Sequence, residues 1–107
     1  PKWKMVEGDE DVTVMQVIIE GVKDGKNLRY TYDLFDSYDP ETRVHSMART
    51  TGYTGTMAVR MVANGMYDRK GITPPEFIGQ NKNCVDFILK GLADRGVIYK
   101  ENLEKLD

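Results

Sequence analysis

Val12-Thr13-Val14-Met15-Gln16-Val17-Ile18-Ile19, followed by Asp24-Gly25, decides the fold class. The octapeptide is β-branched and almost wholly apolar, so it reads as a strand. Successive side chains of a strand alternate between faces. Val12, Val14 and Ile18 share one face with Gln16, and Met15, Val17 and Ile19 share the other with Thr13. Both faces are apolar, so both are expected to be covered, one by helices of this chain and the other by further chain or a second subunit. Asp-Gly between two apolar runs is a hairpin turn, because both central residues need positive φ.

The return strand is predicted over 27–36. Leu28, Tyr30, Tyr32 and Leu34 line one face, while Arg29, Thr31 and Asp33 face the other way with Phe35. That cleaner alternation places the second strand nearer an edge. Tyr38-Asp39-Pro40-Glu41-Thr42 is a turn, with Pro40 fixing φ. A helix follows, with Ser46 as its expected N-cap and Asn64-Gly65 as its stop. Met57, Ala58, Met61 and Val62 form its later apolar face, with Thr54 one turn earlier. Gly52 and Gly55 inside it each cost about 1 kcal/mol relative to alanine. The physical reason that suits them is close packing against another backbone.

Residues 66–80 read as a connector stiffened by Pro74-Pro75. A second helix is predicted from Lys82 to Arg95 on the stripe Val85, Ile88, Leu89 and Leu92, ended by Gly96. Val97-Ile98-Tyr99 is a short strand before a polar tail. The expectation is a two-layer α/β (α+β) domain of order β-β-α-α-β, its antiparallel or mixed sheet opening with a hairpin.

The 107 residues make one domain at most. A net charge of −2 points away from nucleic acid and from an anionic membrane surface. No apolar run approaches the ~20 residues that span a bilayer. The single cysteine, Cys84, has no internal disulfide partner, so a reducing cytoplasm is the simplest compartment. The opening Pro1-Lys2-Trp3-Lys4 carries no signal-peptide pattern. Starting at Pro1 and soon entering strand-like sequence is the expectation for a domain of a longer polypeptide.

Candidate chemistry is sparse. Gly52-Tyr53-Thr54-Gly55 has the spacing of a Gly-x-x-Gly backbone clamp, but its flanks lack lysines. No Gly-x-Gly-x-x-Gly follows a strand. Arg49, Thr50 and Thr51 near a helix start suit either a bound carboxylate or ordinary capping, and spacing alone favours capping. His45 is a surface residue or a minor acid–base candidate. One His and one Cys make no metal set. Asp33, Asp36, Asp39 and Glu41 read as a solvated edge, and Cys84 as a small buried residue or, near a helix start, an acidified thiol.

Ser46-Met47-Ala48-Arg49-Thr50-Thr51-Gly52-Tyr53-Thr54 resembles the C-terminal region of saccharopine dehydrogenase-like proteins, which include lysine 6-dehydrogenases. Flanking stretches extend the likeness over residues 11–80: Asp11 to Met15, Glu20-Gly21, Asp24-Gly25-Lys26, Tyr32-Asp33-Leu34, Tyr38 to Thr42, and Pro74-Pro75-Glu76 with Gly79. The resemblance implies that residues 1–107 are a C-terminal domain, or part of one, whose N-terminal Rossmann domain binds NAD or NADP. It implies hydride transfer at a C–N bond of lysine, saccharopine or a related amino acid, and a homodimer formed through the sheet. It places Arg49, Thr50 and Thr51 at the interdomain cleft, with Arg49 on a substrate carboxylate. It expects neither cofactor binding nor catalysis from this segment alone. A different class, a stand-alone ligand-binding or interaction module, is the alternative.

Overall fold

The computed structural model describes residues 4–6 and 8–106. The opening Pro1-Lys2-Trp3 lies outside them. The strands are β1 (Val12–Lys23), β2 (Lys26–Ser37) and β3 (Tyr99–Leu106), and the helices are α1 (Ser46–Ala63), α2 (Pro75–Gly79) and α3 (Lys82–Ala93). They form an antiparallel sheet of order β1-β2-β3 with the two main helices beside it, an α+β fold.

Asp24 and Gly25 have φ of 52° and 72°, so the hairpin turn takes the doubly positive form that Asp-Gly supplies. Register runs from Val12 opposite Ser37 to Lys23 opposite Lys26. β2 is central, not near an edge, because β3 pairs along its other side from Leu34–Tyr99 to Asn27–Leu106. Alternation reports which face is buried and says nothing of in-plane neighbours. The third strand also lies later than expected. Val97 is buried at the end of α3 instead, and the polar tail supplies the strand. The stretch 75–79, expected as plain connector, forms one helical turn that begins with Pro75.

Both main helices end on glycines with positive φ. The Met66 N–H reaches the Met61 carbonyl around Gly65, and the Val97 N–H reaches Leu92 around Gly96. The core lies where the helices meet one end of the sheet. Leu34, Leu92 and Val97 are buried there with Tyr53, Ile88 and Tyr99 packed against them. Met57, Met61 and Cys84 fill the α1–α3 seam. A Cβ on Gly91 would overlap Met57, so Gly91 sets how closely the helices approach.

The expected close packing at Gly52 and Gly55 is not found within the chain, since a Cβ at either meets nothing within 4 Å. Nor do helices cover β1. Val14 is 73% exposed and Ile19 53% exposed, on opposite faces. Twelve-residue strands reach about 40 Å, so the hairpin runs past the helices. The radius of gyration, 16.6 Å, exceeds the about 13 Å of a compact chain this size.

Gly91→Ala is expected to destabilise the domain by about 1–2 kcal/mol, because Met57 is 3% exposed and has little room to yield. Urea denaturation of the two proteins measures this.

Candidate functional site

The helix-start motif sits on a buried polar hub. α1 begins after His45, whose side chain makes no cap hydrogen bond. Ser46, the expected N-cap, is instead the first helical residue, and Asp11 caps from across the fold. The Asp11 carboxylate accepts the Ser46 amide at 2.6 Å and the Met47 amide at 2.9 Å. Desolvation pushes the Asp11 carboxyl up. The Met47 and Ser46 amides, helped by His45, outweigh it and hold the pKa below the ordinary value.

With its backbone satisfied from outside, the fully buried Ser46 turns its hydroxyl to Asp36 at 2.8 Å and takes a hydrogen bond from Thr13 at 2.8 Å. Asp36 is 5% exposed, so it is no part of a solvated edge. Its partner is Arg49, 8% exposed, whose Nε and Nη2 both lie 3.3 Å from the carboxylate. Arg49 Nη1 donates to Asp39 at 3.0 Å, and Nη2 also reaches the Arg95 carbonyl at 3.2 Å. The Asp36 hydrogen bonds raise the Arg49 pKa above its usual value. For Asp39, the Thr42 hydroxyl leads the effects that lower its pKa, and Arg49 contributes.

Every nitrogen of Arg49 therefore already donates to a protein oxygen. Thr50 returns its hydroxyl to the Ser46 carbonyl at 3.0 Å. Thr51 is exposed. Two residues apart on a helix, Arg49 and Thr51 lie about 160° apart around the axis, so the motif is split between a buried and an outer face. A groove of about 430 Å³ runs beside the hub, lined among others by Phe35, Tyr38, Asp39, Arg49 and Arg95.

The other candidates have structural partners. His45 Nε2 lies 3.0 Å from the Asp9 carbonyl, and its ring packs against Tyr38. Asp33 accepts from Gln16 at 2.7 Å. Cys84 is buried with its thiol toward the Met66 carbonyl. Among the described residues no three His, Cys, Asp or Glu side chains converge on a metal position, and no helix is long and apolar enough to cross a membrane. Asp11 and Arg95 were missed by sequence reasoning. Asp11 caps a helix 35 positions away, and no local pattern encodes that.

The outer face of α1 is the remaining feature. Met47, Ala48, Thr51, Gly52, Gly55, Val59, Val62 and Ala63 are exposed, and this half of the helix carries no charge. Ordinary solvent-facing helices are polar there.

Arg49→Met is expected to cost about 3–5 kcal/mol, because it strands the buried Asp36 carboxylate. Arg49→Met with Asp36→Asn should recover part of it, read by denaturant unfolding. Asp11→Ala should cost about 1–2 kcal/mol at pH 7. A depressed folded-state pKa contributes stability above the unfolded value, near 4, that is lost as pH falls through the folded value. The gap between wild type and Asp11→Ala should therefore narrow below about pH 4, as urea titrations at pH 7 and pH 3 would register.

Comparison with known proteins gives a family match and no structural one. The family model described as the saccharopine dehydrogenase C-terminal domain matches residues 1–97, which leaves all of β3 outside the match. No solved structure matches the chain.

Proposed function

The chain belongs to the saccharopine dehydrogenase C-terminal domain family, and from that premise we propose that it is the substrate-side and dimerisation domain of an NAD(P)-dependent oxidoreductase acting on a C–N bond of an amino acid. The observation that carries this reading is the uncharged outer face of α1, to which Thr51 belongs. Leaving such a face in water forgoes burial worth about 25 cal/mol per Å². Covering it with the cofactor-binding domain would make it one wall of the cleft.

Among the described residues, the starts of the two main helices do not fit a dinucleotide. Pyrophosphate binds free N–H groups at a helix start reached through a glycine-rich turn. Here Asp11 takes the first amides of α1, and the Asn81 side chain takes those of Asn83 and Cys84 at the start of α3. NAD or NADP belongs, in this reading, to a Rossmann domain N-terminal to the segment.

Arg49, Thr50 and Thr51 then divide the substrate side between them. Thr51 faces the cleft, and Arg49 and Thr50 hold the helix start rigid from below. A substrate carboxylate meeting Arg49 would enter the groove and exchange with Asp39 on Nη1. A reducing, cytoplasmic compartment suits the free buried Cys84.

The sheet face around Leu34 continues beyond the helices as Val17, Ile19, Tyr30, Tyr32 and Leu103. Its reverse there carries the Glu20–Arg29–Glu104 ion pairs, at 2.6 and 3.3 Å, which suit water. The apolar side is therefore the one a second copy would cover, by a two-fold contact.

The decisive assay uses the full polypeptide that contains this segment. NAD(P)-dependent oxidation of lysine or saccharopine is expected, and Thr51→Arg should lower kcat/KM at least tenfold by filling the cleft wall. Absence of any C–N oxidoreductase activity in the full polypeptide would argue for a binding module instead. For the interface, sedimentation should give a dimer that Ile19→Asp converts to monomer. A wild type that stays monomeric at high concentration would remove the dimer assignment.

A further inference from the structure

A second groove, of about 460 Å³, opens between α1 and α3 on Met57, Arg60, Phe87, Gly91 and Arg95, with Lys90 and Asp94 at its rim. It brings together three cations, Arg60, Lys90 and Arg95, against one carboxylate, Asp94. The full chain is net negative at −2, so this concentration of positive charge is local. The Lys90 charge is answered by Asp94 at 2.9 Å. Among the described residues, no carboxylate lies within ion-pair distance of Arg60 or Arg95.

Arg95 differs from an ordinary solvated side chain in how it is held, while Arg60 is exposed. Arg95 is half-buried, and its Nη1 is fixed by the Gly91 carbonyl at 2.6 Å and rests 3.6 Å from the Met57 sulfur. Its Nε and Nη2 have no protein acceptor among the described residues. Gly91 and Met57 are also the contact that sets the helix spacing. The packing that brings α1 and α3 together thus places Arg60 of one helix and Arg95, just past the other, on one opening. Phe87 and Met57 give that opening an apolar wall. Guanidinium groups recognise carboxylate and phosphate groups in a bidentate manner.

We propose that the α1–α3 groove binds the oxyanion group of a small molecule, with Arg60 and Arg95 as its ligands and Phe87 against its apolar body. The site adjoins the Arg49 hub through Arg95, whose carbonyl Arg49 holds, but it opens on the α1–α3 side and does not depend on the dehydrogenase reading. The shared chemistry is a carboxylate or a phosphate, and the test separates the two sources.

Amide chemical shifts of the 107-residue chain would be followed during titration with glutarate and, separately, with inorganic phosphate, at ionic strength fixed by sodium chloride. Saturable shifts around Gly91 with a Kd of about 1 mM or tighter are expected. Each of Arg60→Gln and Arg95→Gln should weaken binding about tenfold. Arg60 is exposed, so its variant keeps the fold if Arg95→Gln does not. Preference for glutarate assigns a carboxylate source, and preference for phosphate a phosphate source. Shifts no larger than those from sodium chloride alone, or a Kd unchanged in Arg60→Gln, would overturn the proposal.

Discussion

The fold depends on one buried ion pair. Arg49 lies between Asp36 at the end of β2 and Asp39 in the following loop, and it also holds the Arg95 carbonyl beyond α3. A single guanidinium thereby ties the sheet, the loop and both main helices. The Ser46 hydroxyl, at the start of α1, adds a further hydrogen bond to the Asp36 carboxylate and is itself bonded to Thr13 at the start of β1. A buried ion pair gives little net stability over an apolar replacement, yet removing either partner is costly. What the pair supplies is registration. The fully buried apolar side chains are few, and such a core leaves the helix layer free to slide. Hydrogen-bond geometry at Arg49 does not.

The sequence was most legible where local chemistry settles conformation. Asp24-Gly25 marked the hairpin, Asn64-Gly65 and Gly96 marked the helix ends, and periodicity located α1 and α3. It was least legible where partners are distant. The Asp11 cap, the burial of Asp36 and the pairing of β3 all join segments far apart in sequence. The tail Tyr99–Leu106 carries alternating Tyr99, Glu101, Leu103 and Lys105 on one face, a pattern too polar to announce a strand. It pairs because β2 offers a free edge. The candidate site divides the same way. Arg49 was singled out from its motif, but its engagement by two carboxylates could be seen only in three dimensions.

The two glycines of α1 carry the argument further. Together they cost the helix about 2 kcal/mol relative to alanine, against a whole-domain stability of about 5–15 kcal/mol. Neither relieves a clash inside the chain, and neither adopts a positive φ. Their cost has no return within the described fold. The residues around them, Met47, Val59 and Val62, add a second cost by standing in water. Both costs are offset if another backbone lies against this face, since glycine admits the closest approach and apolar neighbours seal it. The hub beneath α1 then acquires a purpose beyond stability. A helix fixed from below by Arg49 presents a rigid outer wall, and a rigid wall is what a cleft between two domains requires to hold a small substrate in one orientation.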